Sequence, residues 1–242
     1  MTGNRRILCV YHATQREDRV SRLLAARGFE LEWVNPARGE ILPEDLERYL
    51  GVVVYGGEQS VNDETEAMAA EQRWIARWVA EDRPYLGLCL GAQLLARALG
   101  ADVRRHRDRL LESGYTRIHP EPGPDPLFNA PMYVFQWHNE GFDVPRGCER
   151  LARGARFDNQ AFRRAAHIVG LQFHPEVTSA IMIQWFREGG HMLTDPGAQN
   201  AEAQLRDARV FEPVIESWTG AFLDRWVASS IESLNLPRAS HA

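Results

Sequence analysis

Apolar positions along the first hundred residues recur in two alternating rhythms. Residues 7–11, 31–34, 52–55 and 85–88 are short apolar runs rich in branched and aromatic side chains, the pattern of strands buried on both faces. Between them the spacing is helical. Val20, Leu23 and Leu24 share one side of 19–27, which Gly28 stops; a short helix begun near Pro43 closes over 46–50; a longer one carries Met68, Ile75, Trp78 and Val79 and ends before Pro84. Strands alternating with helices predict a parallel sheet covered on both faces. Sites on such sheets form in loops beyond the carboxyl ends of strands, which directs attention to Gly56-Gly57 and to 87–91.

The rhythm changes after Gly100. Val103 onward, 115–119, 132–137 and 168–173 read as strands joined by turns, an antiparallel extension of the sheet. Residues 120–126 hold four prolines and are expected to be a loop. Helical spacing returns over 178–188 and 201–233, with Pro213 expected as a break or a first-turn residue. Phe211, Ile215, Trp218, Phe222 and Trp226 lie on one side of that last helix. Docking onto the chain's own sheet is the plainer reading of this stripe; an intersubunit contact is the alternative. No internal repeat is present. The expected organisation is an α/β domain over 1–190 and a C-terminal helical extension over 191–242 packed on it.

Composition narrows the chemistry. With 242 residues, 44% hydrophobic and 25% charged, the chain has the balance of a soluble globular protein. A net charge of -5 gives no reason to expect nucleic acid or an anionic membrane as partner. All 28 basic residues are arginine, which excludes a P-loop lysine, a Schiff-base lysine and a kinase-type ATP lysine. Three cysteines without a C-x-x-C spacing disfavour a disulfide framework or structural zinc and fit a reducing compartment. The N-terminus lacks a signal-peptide pattern, and no apolar stretch reaches the length of a membrane span; a cytoplasmic protein is expected. No H-E-x-x-H or Cys/His cluster occurs, so neither metal nor cofactor is expected. The basic run 104–109 reads as a solvated stretch, Trp74 and Trp78 as core, and His138 as structural or pocket-lining.

Two segments carry candidate chemistry. Cys89 is central to Gly87-Leu88-Cys89-Leu90-Gly91, between a strand and a helix. A nucleophile elbow requires this layout, because the central side chain is thrust out at a strained angle where flanking Cβ atoms would clash. A helix N-terminus favours a thiolate there. The Leu90 N–H would face a developing oxyanion, with Gly57 as a second donor. The plainer alternative is a buried structural cysteine beside a tight turn. The second segment, 169–176, is an apolar strand ending in His174-Pro175-Glu176. Alternation lets His174 and Glu176 point to one side, so His174 would take the thiol proton and Glu176 would hold its tautomer. Alone, such a pair is a hydrogen-bonded corner. The order nucleophile, histidine, acid disfavours an ordinary α/β-hydrolase.

Together these residues resemble the class I (triad) glutamine amidotransferase domain, in the free-standing form of GMP synthase-like proteins. The matching segments are 55–63 (YGGEQSVND), 87–93 (GLCLGAQ), 134–138 (VFQWH) with 141–143 (GFD), 159–163 (NQAFR) and 170–176 (GLQFHPE). The resemblance implies a flavodoxin-like α/β sheet and a glutaminase that forms a γ-glutamyl thioester on Cys89. It also implies Gly57 and Leu90 as oxyanion-hole donors, and Gln93, Asn139, Gly141 and Phe142 as glutamine contacts. Ala92 departs from the family's frequent His or Met, and Glu58-Gln59 from its Pro-Met. Three readings follow: an amidotransferase that passes ammonia to a synthetase partner, a self-sufficient hydrolase of γ-glutamyl amides, or a non-catalytic module. A homo-oligomer is compatible with each.

Overall fold

The computed structural model describes residues 5–13, 17–123 and 125–235. Five parallel strands form one half of a nine-stranded sheet in the order β2 (Glu30–Val34), β1 (Arg6–Val10), β3 (Gly51–Val54), β4 (Tyr85–Leu88) and β11 (Ile168–Leu171). The sheet continues antiparallel through β10 (Asn159–Ala165), β9 (Glu149–Arg153), β6 (Glu112–Pro120) and β7 (Met132–His138). A separate ribbon pairs β5 (Val103–Arg105) with β8 (Glu140–Phe142). The fold is the expected mostly parallel α/β sheet with an antiparallel extension.

The two-residue period of the strands assigns each side chain to a helix layer. Leu8, Val10, Val52 and Val54 meet Met68, Ile75 and Trp78 of α2 (Glu66–Ala80) and Leu94 and Leu95 of α3 (Leu90–Ala98). Ile7, Cys9, Val53, Leu86 and Val169 face the opposite layer. That layer comprises Val20 and Leu24 of α1 (Arg19–Ala26), Ile181 and Met182 of α4 (Ser179–Gly189), and Ile215, Phe222 and Trp226 of α5 (Ala201–Asn235). The aromatic stripe of α5 therefore docks on the chain's own sheet. Trp78 and Trp226 are fully buried.

Several expectations are corrected, among them that Val103 onward extends the main sheet, since among the described residues β5 pairs only in the separate ribbon. Residues 168–171 belong to the parallel half: β11 pairs with β4 parallel and with β10 antiparallel, so the direction change falls there. Strands β9 and β10 went unread because ERLAR and NQAFRRA interrupt their apolar positions with charge. Pro213 neither breaks nor starts a helix; α5 runs 35 residues through it. An interior proline costs about 3 kcal/mol, and Pro213 lies on the exposed side of α5, one turn after exposed Arg209. The segment expected to close a short helix near 46–50 is a single 3-10 turn, Leu46–Arg48. Pro124, within the predicted proline loop, and the N-terminal four residues lie outside the described residues. Among the described residues, no helix is long and apolar enough to cross a membrane.

Candidate active site

Cys89 caps the N-terminus of α3 with φ 50° and ψ -105°. A non-glycine residue in this region is strained, and the surrounding contacts hold it there. Its N–H donates to the Leu171 carbonyl at 2.8 Å, and its own carbonyl accepts from Ala92 and Gln93 at 3.0 Å each. The flanking glycines are required by space. A Cβ at Gly91 would overlap the Val54 carbonyl oxygen, and one at Gly87 would sit 2.5 Å from the Gly91 carbonyl. Leu90 occupies the first turn of α3, where amide N–H groups lack intrahelical acceptors.

His174 follows β11 and is anchored by its N–H to the Phe135 carbonyl of β7 at 2.9 Å. Its Nδ1 lies 2.7 Å from Glu176 Oε1, with both side chains buried. Its ring stands edge-on to Trp185 at 5.0 Å. His174 Nε2 is buried and makes no hydrogen bond among the described residues. Gly56 fills the space between this ring and the cysteine: a Cβ there would fall 2.8 Å from His174 Cε1 and 3.4 Å from Cys89 Cβ. The two side chains thus meet against one glycine. Burial favours neutral imidazole, but the Glu176 carboxylate and the Cys89 sulfur outweigh it and push His174 up to about 10.

Gln93 is buried, and its amide nitrogen donates to the Glu140 carbonyl at 2.9 Å and to Gln172 Oε1 at 3.4 Å. Gln172 Nε2 in turn lies 3.7 Å from Cys89 Sγ. The bond to Glu140 brings the segment of Asn139 and Gly141 beside α3. The ring of Phe142 is instead committed to the core, 4.9 Å from Phe162, and its carbonyl accepts from Asn159. Gly57 is exposed, while Ala92 is buried in the α3 layer. His138, expected to be structural or pocket-lining, is held at both nitrogens, 2.8 Å from the Glu140 carbonyl and 3.1 Å from Glu112. Cys89, His174, Glu176, Gly57, Leu90 and Gln93 therefore converge at one end of the parallel strands.

Sequence reasoning missed several neighbours of this site. His12, just beyond β1, has Nε2 at 3.0 and 3.1 Å from the two carboxylate oxygens of Glu71 on α2. A Cβ at Gly57 would strike His12 Cβ at 2.5 Å, so the pair backs the glycine loop. The signal was available, since β1 is also a parallel strand and its carboxyl end merited the attention given to the other two. Asp18, which caps α1 through Ser21 N at 2.9 Å, is pushed up to about 7 by burial, with Glu176 adding to the rise against the Ser21 hydrogen bonds. Among the described residues, no group of three acidic, histidine or cysteine side chains could hold a metal ion.

The fold and this end of the sheet define an amidotransferase scaffold. The chain belongs to the class-I glutamine amidotransferase family, which it matches over residues 10–187. It is 32% identical over 162 residues to a glutamine amidotransferase-like protein of Salmonella typhimurium, YfeJ, covering 63% of this chain and 67% of that one. It is 33% identical over 172 residues to a glutamine-hydrolyzing GMP synthase subunit of Saccharolobus solfataricus, covering 69% of this chain and 87% of the relative. The crystal structure of a glutamine amidotransferase from Methylobacillus flagellatus superimposes with a TM-score of 0.87 at 25% identity and covers 98% of both chains.

Proposed function

We propose that this protein is a glutaminase of the amidotransferase type, with Cys89 as nucleophile, His174 as acid–base and Glu176 as the group that orients His174. The observation that carries the reading is the meeting of strained Cys89 and Glu176-bound His174 against Gly56. Cys89 Sγ, its proton already held on His174 Nε2, attacks the side-chain amide carbon of glutamine. The tetrahedral oxyanion is met by the N–H groups of Leu90 and Gly57. His174 returns the proton to the departing nitrogen, ammonia leaves, and a γ-glutamyl thioester remains on Cys89. A water deprotonated by His174 attacks the thioester, releasing glutamate and restoring the thiol.

Gln93 fits the role of holding the substrate. Both hydrogens of its amide nitrogen are directed at Glu140 and Gln172, which leaves its Oε1 as the acceptor for a substrate N–H. Asn139 and Gly141 supply adjoining backbone; Phe142 contributes through its main chain rather than its ring. The likeness to a GMP synthase component that is a separate chain supports release of ammonia to a separate synthetase. A panel of glutamine and several γ-glutamyl amides, assayed with pure protein, tests the proposal. Glutamine hydrolysis that stops in Cys89→Ser supports it. Turnover of γ-glutamyl amides in preference to glutamine replaces ammonia donation with the hydrolase reading, and no turnover combined with no covalent adduct rejects both.

A further inference from the structure

A buried arginine connects the C-terminal helix to the catalytic loop. Arg19, the first residue of α1, has a side chain 1% exposed. Its Nη1 donates to the carbonyls of Pro175 and Val177 at 2.7 Å each, and its backbone N–H donates to the carbonyl of Glu176 at 2.9 Å. One residue thereby takes three consecutive carbonyls around Glu176. The other side of the guanidinium faces α5: Nη2 lies 3.5 Å from Glu212 and Nε 3.6 Å from Glu216. Glu212 also receives the N–H and the hydroxyl of Ser179, the first residue of α4, which follows the same loop and is capped by Thr178. Glu216 makes a second, shorter pair with Arg22 at 2.6 Å.

We propose that Arg19, held by Glu212 and Glu216 of α5, is a positioning residue that fixes the 175–177 loop and so aims Glu176 at His174. The proposal rests on the glutaminase reading above. It makes α5, which lies beyond the family match at residues 10–187, a working part of the site. The physical case is geometric. A carboxylate 2.7 Å from an imidazole nitrogen tolerates little displacement, and the carbonyls on either side of it are held by a guanidinium that at the same time reaches two α5 carboxylates, which a single ammonium cannot do. The fork in turn is a buried cation that needs the α5 carboxylates to remain charged and in place.

The test uses the full chain and three variants, Arg19→Lys, Glu212→Gln and Arg27→Gln. Arg27 binds α5 through Asp224 and the Gly220 carbonyl and makes no contact with the loop, so it controls for helix docking alone. Arg19→Lys is expected to lower kcat for glutamine about tenfold or more with KM within about twofold, as misplaced catalytic groups do. Alkylation of Cys89 by iodoacetamide, followed against pH, is expected to show its histidine-linked step moved to lower pH in Arg19→Lys and Glu212→Gln. Arg27→Gln is expected to keep the wild-type kcat and profile while melting earlier. Unchanged kcat and profile in folded Arg19→Lys and Glu212→Gln would overturn the proposal. So would equal losses in Arg27→Gln, or unfolding of both other variants, either of which would make the clamp a stability element only. Alkylation needs no turnover, so a wild type that hydrolyses no glutamine would defeat the functional reading and still leave the clamp tested.

Discussion

His174 Nδ1 and Glu176 Oε1 are 2.7 Å apart although only Pro175 separates the two residues. The strand expected to run on to Glu176 stops at Leu171, and it is a turn at Pro175 and Glu176 that brings the carboxylate back to the ring; the proline's fixed φ limits how far the two can diverge. In the proposed mechanism this contact fixes the tautomer and leaves Nε2 for the sulfur. His174→Ala is expected to lower glutaminase kcat by about 10²–10⁴, the usual worth of a positioned acid–base group; steady-state assays of folded variant check it.

The same contact predicts a pH dependence of stability. His174 titrates near 10 in the fold against an ordinary value of 6.5. A raised group stabilises the native state fully below its unfolded value, and that contribution is lost as pH climbs through the folded value. Stability should therefore decline between about pH 6.5 and 10, and Glu176→Gln should flatten the decline. Urea denaturation at several pH values measures it, and the comparison with Glu176→Gln separates the His174 contribution from that of the buried Cys9 and half-buried Cys148, whose raised thiols also weaken the fold at alkaline pH.

Gly91→Ala tests the elbow. The added methyl would overlap the Val54 carbonyl oxygen, and neither backbone can yield without separating α3 from β3. A loss of about 3 kcal/mol is expected from overpacking, together with loss of turnover, read by denaturation and assay of the same preparation.

His12 and Glu71 form a buried pair whose side chains are 1% and 3% exposed. Leaving a buried hydrogen-bonding group without its partner typically costs about 1–3 kcal/mol, so Glu71→Ala should lower the unfolding free energy by that order. A simultaneous fall in kcat would follow from loosening Gly57, which packs on His12.

Much of this was legible in the sequence because the decisive constraints are local. The elbow depends on two glycines within five residues; the His–Glu pair was legible as a pair, but a turn at Pro175 and Glu176 makes it, not the strand alternation expected. The parallel strands announced themselves as unbroken apolar runs, since both their faces are covered. Strands β9 and β10 did not, because their buried residues are short stretches, Leu151-Ala152 and Gln160-Ala161-Phe162, flanked by charged or polar side chains, with bulges that interrupt the period. Arg19 and Glu212, 193 positions apart, belong to helices whose polar residues read locally as solvent-facing; only the docking of α5 beside α1 turns them inward. Pro213 was read by its local cost, which the burial of Ile215, Phe222 and Trp226 on the same helix outweighs.

The central claim is that the Cys89 thiol is an accessible nucleophile for a glutamine-shaped electrophile. The chain has two other free cysteines. Burial raises both: Cys9, inside the sheet, is driven well above its ordinary value, and half-buried Cys148 is raised more modestly. A chloroketone analogue of glutamine, incubated with pure protein and followed by intact-mass and peptide mass spectrometry, should add once per chain, on Cys89. The addition should be slowed by glutamine and absent from Cys89→Ser. No adduct, or an adduct on Cys9 or Cys148 with Cys89 untouched, would contradict the account.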